Sequence, residues 1–191
     1  MEDLIKKIKT RLNLSQEAEE FLYSISKEKV LPKGEVLIRQ GQAVKNTFFV
    51  SAGCLRSYCT DKNGKDHTLL FAIKDWWISD YIAIHTDELA TLTVECLTES
   101  KVIEFNAKEL DGIHSLFPEF EPYQRNNLER HVVSLHRRIM NQLQLSAAER
   151  YDLFLKQYPE IEQNTRNFHI ASYLGVTQQS LSRIRVEKVK K

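Results

Sequence analysis

The sequence of 191 residues predicts an α+β protein, with an antiparallel β-roll near the N-terminus, one long helix and an all-helical C-terminal unit. Three observations carry this prediction. Short β-rich runs alternate with turn residues between positions 30 and 106, an apolar stripe at helical spacing follows Pro118, and two short helices flanking a glycine turn are indicated at 169–185. These features divide the chain into residues 1–117, 118–145 and 146–191.

The first third of the chain begins with two helices and continues as strands. Apolar residues recur at helical spacing between positions 4 and 12, and Ser15 is a suitable N-cap for a second helix. The strand-like runs are EVLIR, TFFVSAG, LRSYCT, HTLLFAI, LTVECL and KVIEF. The pair Asn63-Gly64 predicts a tight hairpin turn, because both residues tolerate positive φ. Short strands at nearly regular spacing indicate an antiparallel roll or sandwich.

A long amphipathic helix is predicted from 118 to about 142, with Pro118 in its first turn. At 1.5 Å per residue it would be roughly 37 Å long. Its apolar stripe has spacings of four, three, four and four residues and consists of Leu128, Val132, Leu135, Ile139 and Leu143. The stripe could pack on the roll of the same chain, on a second copy, or on both. The length of the helix favours a dimer interface.

The C-terminal unit begins with a capping box, Ser146 to Glu149, that starts a new helix. The segment HIASYLGVTQQSLSRIR then predicts two crossed helices. Gly175 supplies the left-handed turn residue and Thr177 caps the second helix. The inward-facing positions are Ile170, Ala171, Leu174, Val176, Leu181 and Ile184. Together these residues meet the steric requirements of a helix-turn-helix, the alternative being an ordinary helical hairpin with a polar face.

The outer face of the second helix is polar and basic, which suits DNA. Glutamine pairs with adenine and arginine with guanine in the major groove. The candidate base-reading residues are Gln178, Gln179, Ser180, Ser182 and Arg183. The candidate phosphate-binding residues are Arg166, Thr177, Arg185 and Lys188. From Asn164 onward there are six basic residues and one acidic residue, a net charge of +5 in a chain whose formal net charge is +1. This asymmetry indicates a polyanionic partner.

Composition excludes several other classes of protein. The chain is 42% hydrophobic and 28% charged, and no apolar run reaches the roughly 18 residues of a membrane helix. The charged N-terminus is unlike a signal peptide, so we expect a cytoplasmic protein with no membrane partner. Cys54, Cys59 and Cys96 have no CxxC spacing, which argues against a disulfide framework or a zinc ribbon. We interpret these cysteines as packing residues.

The segment IASYLGVTQQSLSRIR resembles the helix-turn-helix of the Crp/Fnr family of transcription regulators, especially its short Bacteroidetes-type members. LPKGEVLIRQGQ, FFVSAGCLRSY and DKNGKDHTLLF are similar to the strands of that family's cyclic-nucleotide-binding roll, and the helix at 118–142 matches its dimer helix. The resemblance implies a jelly roll, a dimerisation helix and a winged-helix-like DNA-binding domain. It also implies a homodimer on a near-palindromic DNA operator, with Gln178, Gln179 and Arg183 as the main readers and RNA polymerase as a further partner.

The family pattern breaks at the phosphate-binding cassette, which reads KDWWISDYIAIHTDELATLTVEC here. Members that bind cyclic AMP carry a Gly-Glu pair and a downstream arginine. Ser79 stands at the Glu position, Leu89 to Ala90 at the Arg position, and no Lys or Arg lies between Trp76 and Lys101. A buried phosphate without a cation is costly, so we expect no cyclic AMP binding of the usual kind. The candidate pocket residues are Trp76, Trp77, Ser79, Tyr81 and His85, which either bind another effector or fill the pocket themselves; we favour the filled pocket slightly.

No cofactor is expected. An iron–sulfur sensor needs four cysteine ligands, and haem would depend on His67 or His85 as an isolated axial ligand. A cupin-like metalloenzyme is the alternative from another class, but there is no HxH pair, P-loop or nucleophile elbow, so we expect no catalysis. A third interpretation is a ligand-sensing roll that acts through protein contacts.

Overall fold

A computed structural model describes residues 1–189, apart from the side chains of Asn164 and Val189. Two four-stranded antiparallel sheets face each other, with strand orders β1-β8-β3-β6 and β2-β7-β4-β5. The strands are β1 Ser26–Leu31, β2 Val36–Ile38, β3 Asn46–Ala52, β4 Leu55–Thr60, β5 Asp66–Ala72, β6 Trp77–Ile78, β7 Thr93–Cys96 and β8 Ser100–Asn106. The antiparallel roll predicted from the sequence is therefore confirmed, with β1 and β6 as two strands that the pattern did not predict.

The space between the two sheets is filled by apolar side chains. Inward-facing residues of both sheets form one buried cluster, made of Ile38, Phe48, Val50, Leu55, Ala72, Ile78, Ala90, Leu92, Val94, Cys96 and Val102. Cys54 and Cys96 are buried and Cys59 is exposed. At the turn between β3 and β4, Gly53 has φ +87°, and a Cβ on it would lie 2.7 Å from the Cα of Ser100. Only glycine fits this close approach.

The N-terminal helices cover the outer face of the first sheet. Helices α1 (Glu2–Lys9) and α2 (Gln16–Ser24) occupy the predicted segments, and the hydroxyl of Ser15 accepts a hydrogen bond from the N–H of Ala18 as the predicted cap. Their buried side chains pack with Phe49 and Phe105 of the sheet in a second apolar cluster. The two-helix prediction is confirmed.

The hairpin between β4 and β5 differs from the predicted tight turn. Gly64 has φ +76°, but Asn63 does not have positive φ. The carboxylate of Asp61 accepts hydrogen bonds from the N–H groups of Asn63 (2.9 Å) and Lys65 (3.1 Å). This side-chain turn places the bend in a five-residue loop, residues 61–65, so one glycine is sufficient. The prediction of positive φ at both residues was wrong.

Helix α3 (Tyr81–Thr86) connects β6 to β7, and α4 (Ala107–Asp111) and α5 (Ile113–Leu116) follow β8. A 3₁₀ turn at Pro118–Phe120 then leads into the long helix α6 (Glu121–Gln144). The predicted helix is thus confirmed, with its α-helical part beginning three residues after Pro118. No helix in the described part of the chain is long and apolar enough to cross a membrane.

The C-terminal unit consists of α7 (Ala147–Gln157), α8 (Pro159–Asn164), α9 (Asn167–Leu174) and α10 (Gln178–Val189). The capping box of Ser146 and Glu149 is present at the start of α7. Residues 107–189 contain no strand, so the winged-helix detail of the prediction is not confirmed. The four helices share one apolar core with Cys54, Phe71 and Leu97 of the roll.

Candidate nucleic-acid interface and ligand cleft

The helix-turn-helix geometry predicted at 169–185 is present. Gly175 ends α9 with φ 71°, and the N–H of Val176 donates to the carbonyl of Ala171 at 3.0 Å. The apolar residues of both helices are buried as predicted, namely Ile170, Ala171, Leu174, Leu181 and Ile184. Val176 packs against the same core. Helix α10 is therefore held by its inner face, with its outer face free.

The candidate base-reading residues lie at the start of α10. Gln178, Gln179, Ser182 and Arg183 are exposed, and Arg183 forms no ion pair with any described residue. Ser180 is half-buried and its hydroxyl lies 3.0 Å from that of Thr177. The hydroxyl of Thr177 also accepts from the N–H of Ser180 at 3.1 Å, which makes Thr177 the cap of α10. Four of the five predicted readers thus face solvent, and Ser180 is engaged at the cap.

The candidate phosphate-binding residues differ in whether their side chains already make contacts within the chain. Arg166 is exposed at the start of α9. The half-buried Arg185 donates to the amide oxygen of Asn167 (2.6 Å) and to the hydroxyl of Tyr151 (2.9 Å) and pairs with Glu162 (3.0 Å), while Lys188 pairs with Asp152. Arg185 and Lys188 therefore serve intramolecular contacts in this structure. Lys190 and Lys191, which belong to the predicted basic tail, lie outside the described residues.

Helix α9 is docked against strand β5 of the roll. The hydroxyl of Ser172 donates to the carbonyl of Asp66 (2.7 Å) and accepts from the N–H of Thr68 (2.8 Å). It thus bonds to the backbone of β5 as the backbone of a neighbouring strand would. Arg138 of α6 adds hydrogen bonds to the carbonyls of Thr68 (2.9 Å) and Tyr173 (3.2 Å). The orientation of the helix-turn-helix relative to the roll is thus fixed by polar contacts that the sequence did not reveal.

A buried arginine lies beside this contact. Arg56 on β4 is 1% exposed and its guanidinium lies 3.1 Å from Asp66 and 2.7 Å from Glu95, with the ring of Tyr58 stacked at 3.7 Å. Burial, and then the positive charge of Arg56, lower the pKa of His169 in α9 to about 4. Both charge partners of Arg56 belong to the roll, so its buried charge is compensated within the sheet on which α9 rests.

The cassette that binds phosphate in cyclic-nucleotide receptors is occupied here by a side chain of the protein. Asp80 is 1% exposed, and its carboxylate accepts hydrogen bonds from the N–H groups of Ala83 (3.1 Å), Thr91 (2.6 Å) and Leu92 (3.1 Å) and from the hydroxyl of Thr91 (2.9 Å). Ser79 instead donates its hydroxyl to the carbonyl of Asn46 at 2.8 Å. A phosphate bound at these N–H groups would have to displace the carboxylate of Asp80.

A cleft of about 1080 Å³ separates the roll from α6 and reaches the C-terminal helices. Trp76, Trp77, Tyr81 and His85 line one wall of it, whereas Ser79 does not. Trp77 packs against Phe49 at a ring distance of 5.4 Å. The structure therefore brings four of the five predicted pocket residues to one cleft, with Trp77 also part of the core.

Helix α6 presents two different faces to its surroundings. The face toward the cleft is a polar row at spacings of three and four residues, formed by Gln124, Asn127, His131, Ser134 and Arg138. The ring of His131 contacts that of Tyr81 at 5.6 Å. The predicted apolar stripe lies beside this row, with Leu128, Val132, Ile139 and Leu143 exposed and Leu135 half-buried, and Leu128 and Leu135 also line the cleft. The roll of the same chain does not cover the stripe.

Comparison with known proteins agrees with this architecture. Residues 28–115 match the cyclic nucleotide-binding domain family. The transcriptional activator protein FnrA of Stutzerimonas stutzeri is 23% identical over 172 residues, which cover 84% of this chain and 69% of FnrA. A solved regulator of the Crp/Fnr family from Eubacterium rectale superposes with a TM-score of 0.74 at 17% identity, over 93% of this chain and 85% of that one.

A second solved structure, the c-di-GMP responsive global regulator CLP of Xanthomonas campestris, has a TM-score of 0.71 at 12% identity and covers 92% of both chains. The FixK2 structure from Bradyrhizobium japonicum has a TM-score of 0.72 at 15% identity, over 85% of this chain and 84% of that one. These similarities span both the roll and the C-terminal helices. The resemblance to the Crp/Fnr family of transcription regulators that was predicted from the sequence is confirmed by these similarities.

Proposed function

We propose that the protein binds a near-palindromic DNA operator as a homodimer and regulates transcription without catalysing a reaction. Its parts would be a sensor roll at 1–117, a dimerisation helix and hinge at 118–145, and a DNA-binding unit at 146–191. The observation that carries this proposal is the start of α10, where Gln178, Gln179, Ser182 and Arg183 are exposed on a helix whose opposite face is buried. Such a helix can enter a major groove and read base edges.

The exposed stripe of α6 supports the homodimer. Leu143 is 76% exposed and Leu128 is 51% exposed, and both lie in a row of apolar side chains on one helix face. Val133 and Met140 widen this exposed apolar surface. Pairing two such helices removes the surface from water, and the two recognition helices would then enter successive major grooves about 34 Å apart. A second copy and the DNA operator are the partners we propose, together with RNA polymerase.

The sensor part would not use cyclic AMP. The filled interior of the roll and the buried carboxylate of Asp80 support this proposal. Among the phosphate-binding candidates, Arg166 and Thr177 are accessible in the present arrangement. Arg185 and Lys188 would have to exchange their carboxylate partners for DNA phosphates.

Selection of tight binders from a randomised DNA duplex pool tests the function. We expect enrichment of a two-fold symmetric motif. Arg183→Ala should cost about 1–3 kcal/mol of specific binding and relax the preference at one base position. Lys188→Ala should weaken all sequences alike and reduce the salt dependence. Arg125→Ala, on the exposed face of α6 far along the chain from α10, is the matched control that leaves the affinity unchanged.

Two results would contradict the proposal. An operator affinity that is the same for wild type and Arg183→Ala would exclude base reading by that residue. Failure of the pool to yield any motif, in the presence and absence of a small-metabolite extract, would favour a sensor that acts through protein contacts.

A further inference from the structure

The end of the cleft nearest the helix-turn-helix carries positive charge without acidic partners. Arg138, Arg150 and Lys156 line it, and none of them forms an ion pair with a described residue. Three of the four acidic residues that line the cleft pair with other cations, Asp75 with Lys7, Asp87 with Lys108 and Glu129 with Arg125, and the fourth is Asp111 in α4. This arrangement is unusual for a half-buried group of cations, since buried charges are generally paired.

Arg138 is the most enclosed of the three. Its guanidinium donates to the carbonyls of Thr68, Leu69 and Tyr173 and lies 4.5 Å from the ring centroid of Tyr173. Its Nε is buried and has no hydrogen-bond partner in the structure. Desolvation by burial lowers the pKa of Arg138. Neutral carbonyls accept hydrogen bonds from part of the guanidinium, but no described acidic residue pairs with its positive charge.

Arg150 and Lys156 of α7 complete the group. Arg150 donates to the carbonyls of Leu145 (2.6 Å) and Leu174 (3.2 Å), which end α6 and α9. The amide of Gln142 donates to the same carbonyl of Leu174 at 3.4 Å. Lys156 is exposed on the same wall and makes no ion pair with any described residue. The site thus offers two arginines held by backbone carbonyls and one exposed lysine.

We propose that this end of the cleft binds a small anion through carboxylate or phosphate oxygens, at a site separate from the roll interior that Asp80 closes. The anion would lie against Arg138, Arg150 and Lys156 and accept charge-assisted hydrogen bonds, which are about twice as strong as neutral ones. The leucine and tyrosine side chains around the site limit water and strengthen these contacts.

The same arginines connect this site to DNA binding. Arg138 and Arg150 hold the carbonyls of Tyr173 and Leu174, which belong to the last turn of α9 directly before Gly175. An anion that draws these guanidinium groups toward itself competes with those carbonyls. If the protein binds DNA as proposed, this competition links anion binding to the position of the recognition helix. Anion binding itself does not depend on the proposed function.

Calorimetric titration of the full chain with inorganic phosphate and with citrate, at constant ionic strength, tests the site. We expect saturable binding of at least one of the two probes, and the preferred probe distinguishes a phosphate from a carboxylate ligand. Arg138→Gln should weaken binding about tenfold, because it removes a buried charge-assisted contact. Lys156→Gln should weaken it about twofold, because that side chain is exposed.

The control variant is Arg39→Gln, an exposed arginine directly after β2 that does not line the cleft, for which we expect unchanged affinity. If Arg138→Gln does not fold, the double variant of Arg150→Gln and Lys156→Gln replaces it. Absence of saturation with both probes overturns the proposal. An acidic group of a second copy that already filled the site would give the same result, and this also overturns the proposal. Equal affinities of wild type and the site variants overturn it too, whatever the outcome of DNA selection.

Discussion

Replacing Asp80 by alanine removes the acceptor for four hydrogen-bond donors at once. The N–H groups of Ala83 and Leu92 are buried with those residues, and they lose their partner together with the N–H of Thr91. Loss of the cap on α3 costs about 1 kcal/mol, and each further buried donor left unsatisfied costs about 1–3 kcal/mol. Allowing for entry of water, we expect Asp80→Ala to lower the free energy of unfolding by about 3–5 kcal/mol.

Urea unfolding followed by circular dichroism measures this loss. The midpoint should fall without a change in the slope m, because the variant changes stability and not the surface exposed on unfolding. Asp80→Asn should lose about 2 kcal/mol, since an amide oxygen keeps some of the bonds while its NH2 faces a donor. Glu88→Ala, an exposed residue in the loop after α3, is the control and should change little. A loss below about 0.5 kcal/mol for Asp80→Ala, the range of ordinary surface changes, would refute the reasoning.

Three further predictions concern the stripe, the docked helix and a turn. Ile139→Glu should convert the proposed homodimer to monomers in sedimentation equilibrium, because it places a charge in the apolar stripe; dimers that persist would exclude α6 as the interface. Since His169 has its pKa lowered from 6.5 to about 4, the unfolded chain binds more protons between these values, so stability should fall as pH drops through this window. This group contributes at most about 1.4 kcal/mol of pH-dependent stability per pH unit. His169→Gln should abolish this contribution, which is measured by comparing thermal unfolding at pH 7.5 and at pH 5. Gly53→Ala should destabilise the roll, because its Cβ would lie 2.7 Å from the Cα of Ser100 at a φ of +87°; an unchanged melting temperature would show that the turn relaxes freely.

Elements with a strong local signature could be predicted from the sequence. The capping box at Ser146 and the left-handed Gly175 each depend on a few neighbouring residues, and both are present. Strand β1, with the sequence SKEKVL, was not predicted because it is a charged edge strand that is paired with β8 alone. This segment is a strand because it pairs with β8, and its own sequence does not alternate clearly between apolar and polar residues.

The polar side of α6 shows why the candidate site was only partly predictable. The sequence identifies the apolar stripe, but the polar row with Arg138 has the composition of an ordinary solvated face. Only the packing of β5 and α9 on either side of Arg138 makes it a buried cation. Asp80 was likewise missed as the centre of the cassette, because its four donors come from positions up to twelve residues away.

The apolar core that the C-terminal helices share with Phe71 has a thermodynamic consequence. Phe71 of β5 contacts the rings of Phe154, Tyr158 and Tyr173 at centroid distances of 5.9, 5.9 and 5.1 Å. Separating the two parts would expose all four rings, so they should melt as one cooperative unit with a single calorimetric transition. A fragment that begins at residue 146 would carry this aromatic surface into water and aggregate. Stability lost in the roll is therefore also lost by α10, the proposed recognition helix.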